Sequence, residues 1–183
     1  MNAPEKTSAQ PEQHNSADFD LESTLPYLLN RAGVRIGNAF SEDIACFDTS
    51  LHQWRILASL VHQAGQNVTE LAAHTSIEVS TISRMVGSLV NKELLKRARA
   101  GDDARSVRLF LTDTGKELAG QIIPVASLYE RIALSGMNRD EVLVLKRLLA
   151  KVYDNVVSLG PKTQMRWRGA GKQTAKRLPK KKA

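Results

Sequence analysis

Four arginines flank an acidic loop in the segment RARAGDDARSVRLFLT, which begins at Arg97 and ends at Thr112. The residues on either side of the loop sequence AGDDA alternate in polarity, which predicts two β-strands joined as a hairpin. A guanidinium group is always charged and matches the geometry of a phosphate. A hairpin edged with arginines therefore indicates a site that binds a polyanion. The four residues are Arg97, Arg99, Arg105 and Arg108.

The segment VSTISRMVGSLVN, from Val79 to Asn91, precedes this hairpin and has the periodicity of a short amphipathic helix. Its polar side carries small side chains and one cation, and the DNA major groove, about 12 Å wide, admits such a helix. Short side chains near the helix N-terminus let the backbone approach the base edges, while an arginine reaches a guanine or a phosphate. The residues predicted to contact DNA from this helix are Ser80, Thr81, Ser83 and Arg84.

The hairpin loop is predicted to enter the neighbouring minor groove, whose narrow, electronegative form attracts guanidinium groups. Arg105 is the candidate for insertion, and Asp103 would pair with it and hold it in position before DNA is bound. Arg97, Arg99 and Arg108 would then bind backbone phosphates along the strands. Two other interpretations remain open. Serine and threonine favour helix starts in any protein, and a surface Asp–Arg pair contributes less than about 1 kcal/mol to stability.

The remaining elements predict a mainly α-helical chain with one small β-hairpin. Asn67 followed by Glu70 has the form of a capping box, so a short helix is expected to begin there and to stop near Thr75. Two short helices followed by a hairpin form a winged helix-turn-helix. The predicted order is a disordered arm over residues 1–20, one domain over 21–160 and a basic disordered tail over 161–183. Within the domain, a winged helix at about 51–112 is expected between helices at 21–47 and 113–159.

Apolar residues at helical or strand spacing mark the expected core of this domain. The pattern predicts that the helix ending at Gly65 turns Val61 inward, that the helix beginning at Val79 buries that valine, and that Val107 shares a strand face with two leucines. Other residues assigned to the core are Leu51, Trp54, Leu57, Val68, Leu71, Ala72, Ile82, Val86, Leu89 and Val90.

The net charge of +7 is located mainly near the end of the sequence. From Pro161 to Ala183 there are nine Lys or Arg and no Asp or Glu, whereas residues 1–160 hold 17 basic and 19 acidic side chains. Among the latter, the segment from Arg84 to Arg108 carries seven cations and three carboxylates. Such a local basic surface is typical of nucleic-acid binding, although a solvated charged surface gives the same pattern. The tail is expected to add sequence-independent phosphate contacts.

Several other classes of protein find no support in the sequence. No apolar run approaches the roughly 18 residues of a membrane helix, and the N-terminus lacks the apolar block of a secretory signal, which predicts a cytoplasmic protein without a membrane partner. We find no catalytic motif and no histidine spacing suited to a metal, so neither an enzyme nor a cofactor or metal site is expected. The single cysteine, Cys46, is expected to be a buried and unreactive thiol.

The segment from Leu51 to Thr112 resembles the winged helix of the multiple-antibiotic-resistance regulator (MarR) family. LHQWRILASL is similar to the family's entry helix, and VTELAAHTSIEVSTISRMVGSLVNKELLKR is similar to its two reading helices. The family's wing signature, D-x-R followed by L-T-x-x-G, is matched by Asp103, Arg105, Leu111, Thr112 and Gly115.

Three positions stand out against the family pattern or the usual helix preferences. Glu93 stands where members usually carry a glycine that ends the recognition helix, which predicts a strained cap. Glu78 replaces the usual Asp or Ser at the start of that helix. Gly87 lies inside the helix at a cost of about 1 kcal/mol relative to alanine, and we interpret it as a point of close approach to DNA.

The resemblance implies a homodimer whose terminal helices interleave, and a repressor that binds a pseudo-palindromic operator in double-stranded DNA. Half-sites would lie about 34–36 Å apart. Family members often sense small aromatic or phenolic compounds in a crevice between the dimer helices and the winged helix. Here the candidate lining residues are Arg35, His52 and Trp54, although Trp54 also fits an ordinary core position. An RNA- or protein-binding adaptor that uses the basic tail is the alternative function.

Overall fold

Six α-helices and one two-stranded hairpin form the regular structure of residues 19–99 and 107–159, the parts of the chain that the computed structural model describes. The predicted mainly α-helical fold with a small β-hairpin is confirmed. In chain order the elements are α1 (Leu25–Ile44), α2 (Leu51–His62), α3 (Val68–Thr75), α4 (Val79–Asn91), β1 (Leu95–Arg99), β2 (Val107–Leu111), α5 (Asp113–Ala133) and α6 (Arg139–Val157).

The chain falls into two compact units, with α1 to α5 in the first and α6 in the second. The ends predicted for α3 and α4 are confirmed, whereas α1 is shorter than the predicted helix over 21–47 because separate 3-10 turns occupy Leu21–Ser23 and Ala45–Phe47. The left-handed backbone of Asp48, at φ 49°, closes the second of these turns. Within the described ranges, no helix is long and apolar enough to cross a membrane.

Reciprocal hydrogen bonds begin three of the helices. The side chain of Asn67 accepts a bond of 2.9 Å from the Glu70 N–H, and the Glu70 carboxylate accepts one of 2.8 Å from the Asn67 N–H. The predicted capping box of α3 is therefore confirmed. The same arrangement begins α2 at Ser50 and Gln53 and α6 at Asn138 and Glu141. These bonds satisfy N–H groups that a helix start leaves without intrahelical partners.

A Schellman motif ends α4 and leads directly into the hairpin. The Leu94 N–H donates to the Leu89 carbonyl at 2.9 Å, and the Glu93 N–H donates to the Val90 carbonyl at 3.0 Å. This geometry requires a left-handed residue between helix and strand, and Glu93 adopts it at φ 57°. Because a side chain is disfavoured in that conformation, the strain predicted from the missing glycine has a structural basis.

One core joins α1, α2, α3, α4, the base of the hairpin and α5. Two valines expected to face inward are instead about half exposed, Val61 at 47% and Val79 at 46%. Val107 shares a strand face with Leu109 and Leu111, as predicted, but is 46% exposed. In α2 the buried side includes Leu60 rather than Val61, Val79 is the first residue of α4, and Val107 lies at the open end of the hairpin beyond the core. The most deeply buried side chains are Ile44, Ile56, Leu57, Leu71, Ile82, Leu89, Leu109, Ile122, Gln66 and Val86.

A tyrosine fastens α5 to α1. The Tyr129 hydroxyl lies 2.8 Å from a carboxylate oxygen of Asp43 and 3.0 Å from the carbonyl oxygen of Ala39. The Tyr129 ring also meets Phe40 edge-on, with ring centroids 5.7 Å apart. The hydrogen bond to Asp43, together with desolvation, raises the pKa of Tyr129 above its ordinary value of 10.0.

Candidate nucleic-acid interface

The outer surface of α4 is polar and accessible. Ser80, Ser83 and Arg84 are exposed, and Thr81 is half-buried. The Arg84 guanidinium lies 3.5 Å from the Thr81 hydroxyl, which holds it along the helix surface. Glu78, at the N-cap, makes no side-chain capping bond with any described residue. The opposite side of α4 is anchored in the core by Ile82, Val86 and Leu89.

Gly87 extends the same polar surface by another turn. It follows Ser80 by seven residues and Arg84 by three, spacings that place all three residues on one helix face. A Cβ atom built on Gly87 would meet nothing within 4 Å among the described atoms. Packing inside the chain therefore gives no reason for glycine at this position.

The register of the hairpin places its arginines on two different faces. Arg97 pairs with Leu109 and Arg99 pairs with Val107, whereas Arg108 pairs with Ala98. Residues directly opposite on paired strands share a face, and successive residues alternate between faces. Arg97 and Arg99 therefore lie on the same face as Leu95 and Leu109, which are buried in the core. Both are exposed, and neither forms an ion pair with a residue in 19–99 or 107–159.

Arg108 is bound to α3. One guanidinium nitrogen lies 2.8 and 2.9 Å from the two carboxylate oxygens of Glu70 and donates to the Gly65 carbonyl at 3.1 Å. Both charged side chains are partly accessible, with exposed fractions of 34% for Arg108 and 44% for Glu70. The predicted phosphate contact of Arg108 stays a prediction, but in the free chain its guanidinium already has a carboxylate partner.

The Glu70 carboxylate has two sources of stabilisation. The hydrogen bond from the Asn67 backbone is the largest influence and lowers the pKa of Glu70 from 4.5. Desolvation opposes it, and the Arg108 guanidinium lowers the pKa further. Glu70 is therefore ionised at neutral pH. The same side chain thus caps α3 and attaches the second hairpin strand to it.

Residues 65–66 pair with the outer edge of the hairpin. The Gly65 N–H donates to the Leu109 carbonyl at 3.0 Å, and the Leu109 N–H donates to the Gln66 carbonyl at 2.9 Å. Gln66 is almost fully buried, and its side-chain amide donates to the Ser59 and Gln63 carbonyls at 2.8 and 2.7 Å. This buried amide fixes the linker between α2 and α3 against the hairpin. No local signal in the sequence marks this linker, because its partner strand is more than 40 residues away.

The L-T-x-x-G part of the wing signature has a structural role. The Thr112 hydroxyl donates to the Glu93 carbonyl at 2.6 Å and accepts a bond of 3.0 Å from the Gly115 N–H. Thr112 therefore caps the start of α5 and attaches it to the end of α4. A Cβ atom on Gly115 would overlap the carbonyl oxygen of Leu94, so only glycine permits this approach.

Two predicted contact residues, Asp103 and Arg105, lie outside the described residues, as do residues 161–183. Their assignments to the minor groove and to phosphate contacts stay predictions. The described part of the interface is the α4 surface and the two accessible arginines of β1.

The three candidate effector residues are not brought together in one cavity. Arg35 lines a cavity of about 470 Å³ on α1 with Asn30, Arg31, Val34 and Asn38. Trp54 lies at a different cavity of about 520 Å³, where it is only 9% exposed, and among the described residues His52 lines neither. The lining of the second cavity also includes Arg55, Ala58, Ser59, His62, His74 and Thr75.

Cys46 is exposed, so the prediction of a buried thiol is wrong. The cysteine lies in the 3-10 turn that follows α1, where the helix period no longer directs side chains into the core. Its thiol donates to the Asp43 carbonyl at 3.1 Å. Among the described residues there is no group of three or more His, Cys, Asp or Glu side chains suited to a metal ion.

Comparison with known proteins links this architecture to one family. The model of the MarR family matches residues 49–107. Over 155 residues the chain is 24% identical to the HTH-type transcriptional repressor NicR of Pseudomonas putida, covering 85% of this chain and 98% of NicR. A MarR-family transcriptional regulator from Silicibacter pomeroyi has a similar crystal structure, with a TM-score of 0.72, 26% identity, and coverage of 81% of this chain and 99% of that chain.

A further similar structure contains DNA. It is a cysteine-to-serine mutant of MarR from E. coli complexed with operator DNA, with a TM-score of 0.63 and 25% identity, covering 70% of this chain and 92% of that chain. The matched family region begins just before α2 and reaches the first residue of β2, and it contains the polar surface of α4. Family model, relatives and fold agree: residues 49–107 match the MarR family, and the chain is similar over most of its length to transcriptional regulators of that family.

Proposed function

We propose that the chain is a homodimeric repressor that binds a pseudo-palindromic operator and is released by a small-molecule effector. The observation that carries this proposal is the accessible surface of α4, with short polar side chains and Arg84. Beside it, the hairpin presents two exposed arginines that form no ion pair with a described residue. The known relatives are transcriptional regulators, which favours duplex DNA over an RNA- or protein-binding adaptor. A cytoplasmic, non-enzymatic protein is part of the same proposal.

The proposed contacts to DNA are divided between two grooves. The residues at the start of α4 read base edges in the major groove, while Arg97 and Arg99 bind phosphates next to it. Arg105 enters the minor groove, positioned by Asp103. Operator DNA bound to a relative of similar fold supports this arrangement. The residues assigned to the major groove are Ser80, Thr81, Ser83 and Arg84.

A second copy of the chain is the proposed partner of the outer helices. Large apolar residues on α1, α5 and α6 are 39–63% exposed, although a soluble monomer rarely exposes so many of them. In a two-fold dimer they would be covered, and two copies of α4 would present themselves to successive half-sites. These residues are Leu25, Leu28, Leu29, Ile36, Leu128, Ile132, Leu148, Leu149, Val156 and Val157.

The proposed effector is a small aromatic or phenolic acid bound at the α1 groove that contains Arg35. A neighbouring cavity, of about 280 Å³, shares Asn30, Val34 and Asn38 with the cavity that contains Arg35. It adds Arg55 and apolar side chains, so cationic and apolar groups lie side by side. This combination suits a ring that carries a carboxylate. Binding there would change the separation of the two α4 helices and thereby the operator affinity.

Operator binding tests the main proposal. Duplexes selected from random-sequence DNA by the purified chain are expected to contain a two-fold symmetric site, and size-exclusion chromatography with light scattering is expected to give a dimer. Arg84→Ala is expected to weaken binding to the selected duplex about tenfold or more without changing the melting temperature. Arg131→Ala removes the same charge from α5 and is the matched control. A monomer that binds all duplexes equally, even without residues 161–183, would contradict the proposal.

The effector assignment has its own test. Melting of the chain is followed in the presence of a panel of aromatic acids, for the natural chain and for Arg35→Ala. An acid that raises the melting temperature is expected to lose this effect in the variant, because the counter-charge is missing. An unchanged shift in Arg35→Ala would exclude this residue from the site.

A further inference from the structure

Arg108 differs from Arg97 and Arg99 because, among the described residues, its guanidinium alone of the three has a carboxylate partner. We infer that Arg108 is a positioning residue: through Glu70 it fixes the wing, meaning the strands β1 and β2, onto the N-terminus of α3. Its contribution to DNA binding is then this ion pair, and not a phosphate contact. The inference rests on the proposed function, because it concerns how the wing is presented to the operator.

The geometry gives the ion pair a fixed position at both ends. The Glu70 carboxylate accepts from the Asn67 N–H at 2.8 Å and from Arg108 at 2.8 and 2.9 Å, so its orientation is set by the helix cap. The Arg108 guanidinium also donates to Gly65 at 3.1 Å. To contact a phosphate, Arg108 would have to leave three acceptor atoms, the Gly65 carbonyl oxygen and the two carboxylate oxygens of Glu70. It would also leave the charge of that carboxylate without its partner.

The strand register supports the same division of roles. Arg108 shares its hairpin face with Ala98, whereas Arg97 and Arg99 project from the opposite face and have no ion pair within the described ranges. One flat row of phosphates cannot be reached from both faces of a two-stranded ribbon at once. Arg97 and Arg99, which are exposed beyond the buried part of their face, therefore contact DNA, and Arg108 contacts the protein.

Such an attachment affects DNA binding without touching DNA. Among the described residues, two backbone hydrogen bonds join the wing to the linker before α3, those between residues 65–66 and Leu109. The Glu70–Arg108 pair adds a side-chain attachment one residue away on β2. Because α3 and α4 belong to one helix-turn-helix, this pair sets the angle between the wing and the helix that reads the major groove. A wing held at the correct angle before binding loses less conformational entropy on the operator.

Glu70→Gln isolates the ion pair from the helix cap. Glutamine at this position of a capping box still accepts the Asn67 N–H, so the variant removes the charge but keeps the start of α3. Arg108→Gln removes the other partner, and the double variant closes a double-mutant cycle. Asp113→Asn is the matched control, because the ion pair that Asp113 forms within the described residues is with Lys116 of the same helix.

The probe is a duplex selected from random-sequence DNA by the natural chain, and its dissociation constant is measured by fluorescence anisotropy over a range of salt concentrations. Binding by the natural chain is measured first, and its failure would refute the proposed function and not this inference alone. Given that binding, Glu70→Gln and Arg108→Gln are each expected to weaken it about three- to tenfold. The double variant is expected to bind no more weakly than either single variant.

The salt dependence separates positioning from phosphate binding. A lost phosphate contact lowers the slope of log K against log salt by about 0.9 per contact, whereas all three variants are expected to keep the natural slope. If Arg108 bound phosphate, Glu70→Gln would free it and tighten binding, and Arg108→Gln would lower the slope. Either result would overturn the inference, as would a loss of affinity in Asp113→Asn equal to that in Glu70→Gln.

Discussion

Gly115 lies so close to Leu94 that a Cβ atom at position 115 would overlap the Leu94 carbonyl oxygen. The two residues join the first turn of α5 to the point where α4 gives way to β1. Thr112 adds hydrogen bonds to Glu93 and to Gly115 at the same junction. The helix α4, the hairpin and the long helix α5 therefore meet at a contact that only glycine allows.

Gly115→Ala is accordingly expected to destabilise the chain by about 1–3 kcal/mol, because backbone must shift to admit the new methyl group. The measurement is the free energy of unfolding in urea. Gly120→Ala, on the same helix, is the control: a Cβ atom there meets nothing within 4 Å, and alanine is expected to stabilise the helix by up to about 1 kcal/mol. Equal effects of the two substitutions would disprove the packing explanation.

The left-handed conformation of Glu93 predicts that a substitution to glycine stabilises the chain, whereas the replacement of Gly115 destabilises it. Glu93→Gly is expected to raise the free energy of unfolding by about 0.5–1 kcal/mol, because glycine adopts φ 57° without strain from a Cβ atom. Glu93→Ala retains the Cβ atom and is expected to give no comparable gain, which separates backbone strain from the loss of charge. A stabilisation by alanine equal to that by glycine would assign the effect to the carboxylate.

The sequence predicted most of the architecture because the relevant signals are local. The capping box at Asn67 and Glu70 and the bounds of α4 depend on residues within a few positions of one another. The amphipathic pattern likewise identified the polar face of α4 before its exposure was known. The pattern was wrong by one residue at Val61, where the burial of Leu60 depends on how α2 packs against its neighbours.

The wing attachment was not predicted for a related reason. Glu70 was recognised as a cap and Arg108 as a cation on a strand, but their pairing joins positions 38 residues apart. Which face of β2 carries Arg108 follows from a register that only the folded hairpin fixes. The exposed position of Cys46 depends likewise on the place where α1 ends, a boundary that periodicity gives only approximately.

The Glu70 carboxylate predicts a pH dependence of stability. Its pKa in the folded chain is lowered from 4.5, first by the Asn67 N–H and then by Arg108, so its stabilising effect is complete above about pH 4.5. The effect is lost as the pH falls through the lower folded-state pKa, because the proton binds the unfolded chain more readily. Melting temperatures measured from pH 7 to pH 3 are expected to fall further for the natural chain than for Glu70→Gln. Parallel curves would show that this carboxylate does not contribute.

Gly87 provides the prediction that best separates stability from DNA binding. The residue lies within α4, where glycine is less favourable than alanine by about 1 kcal/mol, and a Cβ atom there would meet no described atom within 4 Å. Gly87→Ala is therefore expected to raise the free energy of unfolding by up to that amount. If the glycine marks the place where the helix backbone approaches the DNA, the added methyl group must fit against a base or a phosphate. The same substitution is then expected to weaken operator binding about tenfold.

Urea unfolding and anisotropy titrations on the same Gly87→Ala preparation measure both quantities. Gly120→Ala tests whether a more stable helix alone changes affinity, and it is expected to bind the operator as the natural chain does. A Gly87→Ala variant that gains stability and keeps full affinity would show that the helix does not approach DNA at this residue. The docking of α4 would then have to be centred on the turn that contains Ser80, Ser83 and Arg84.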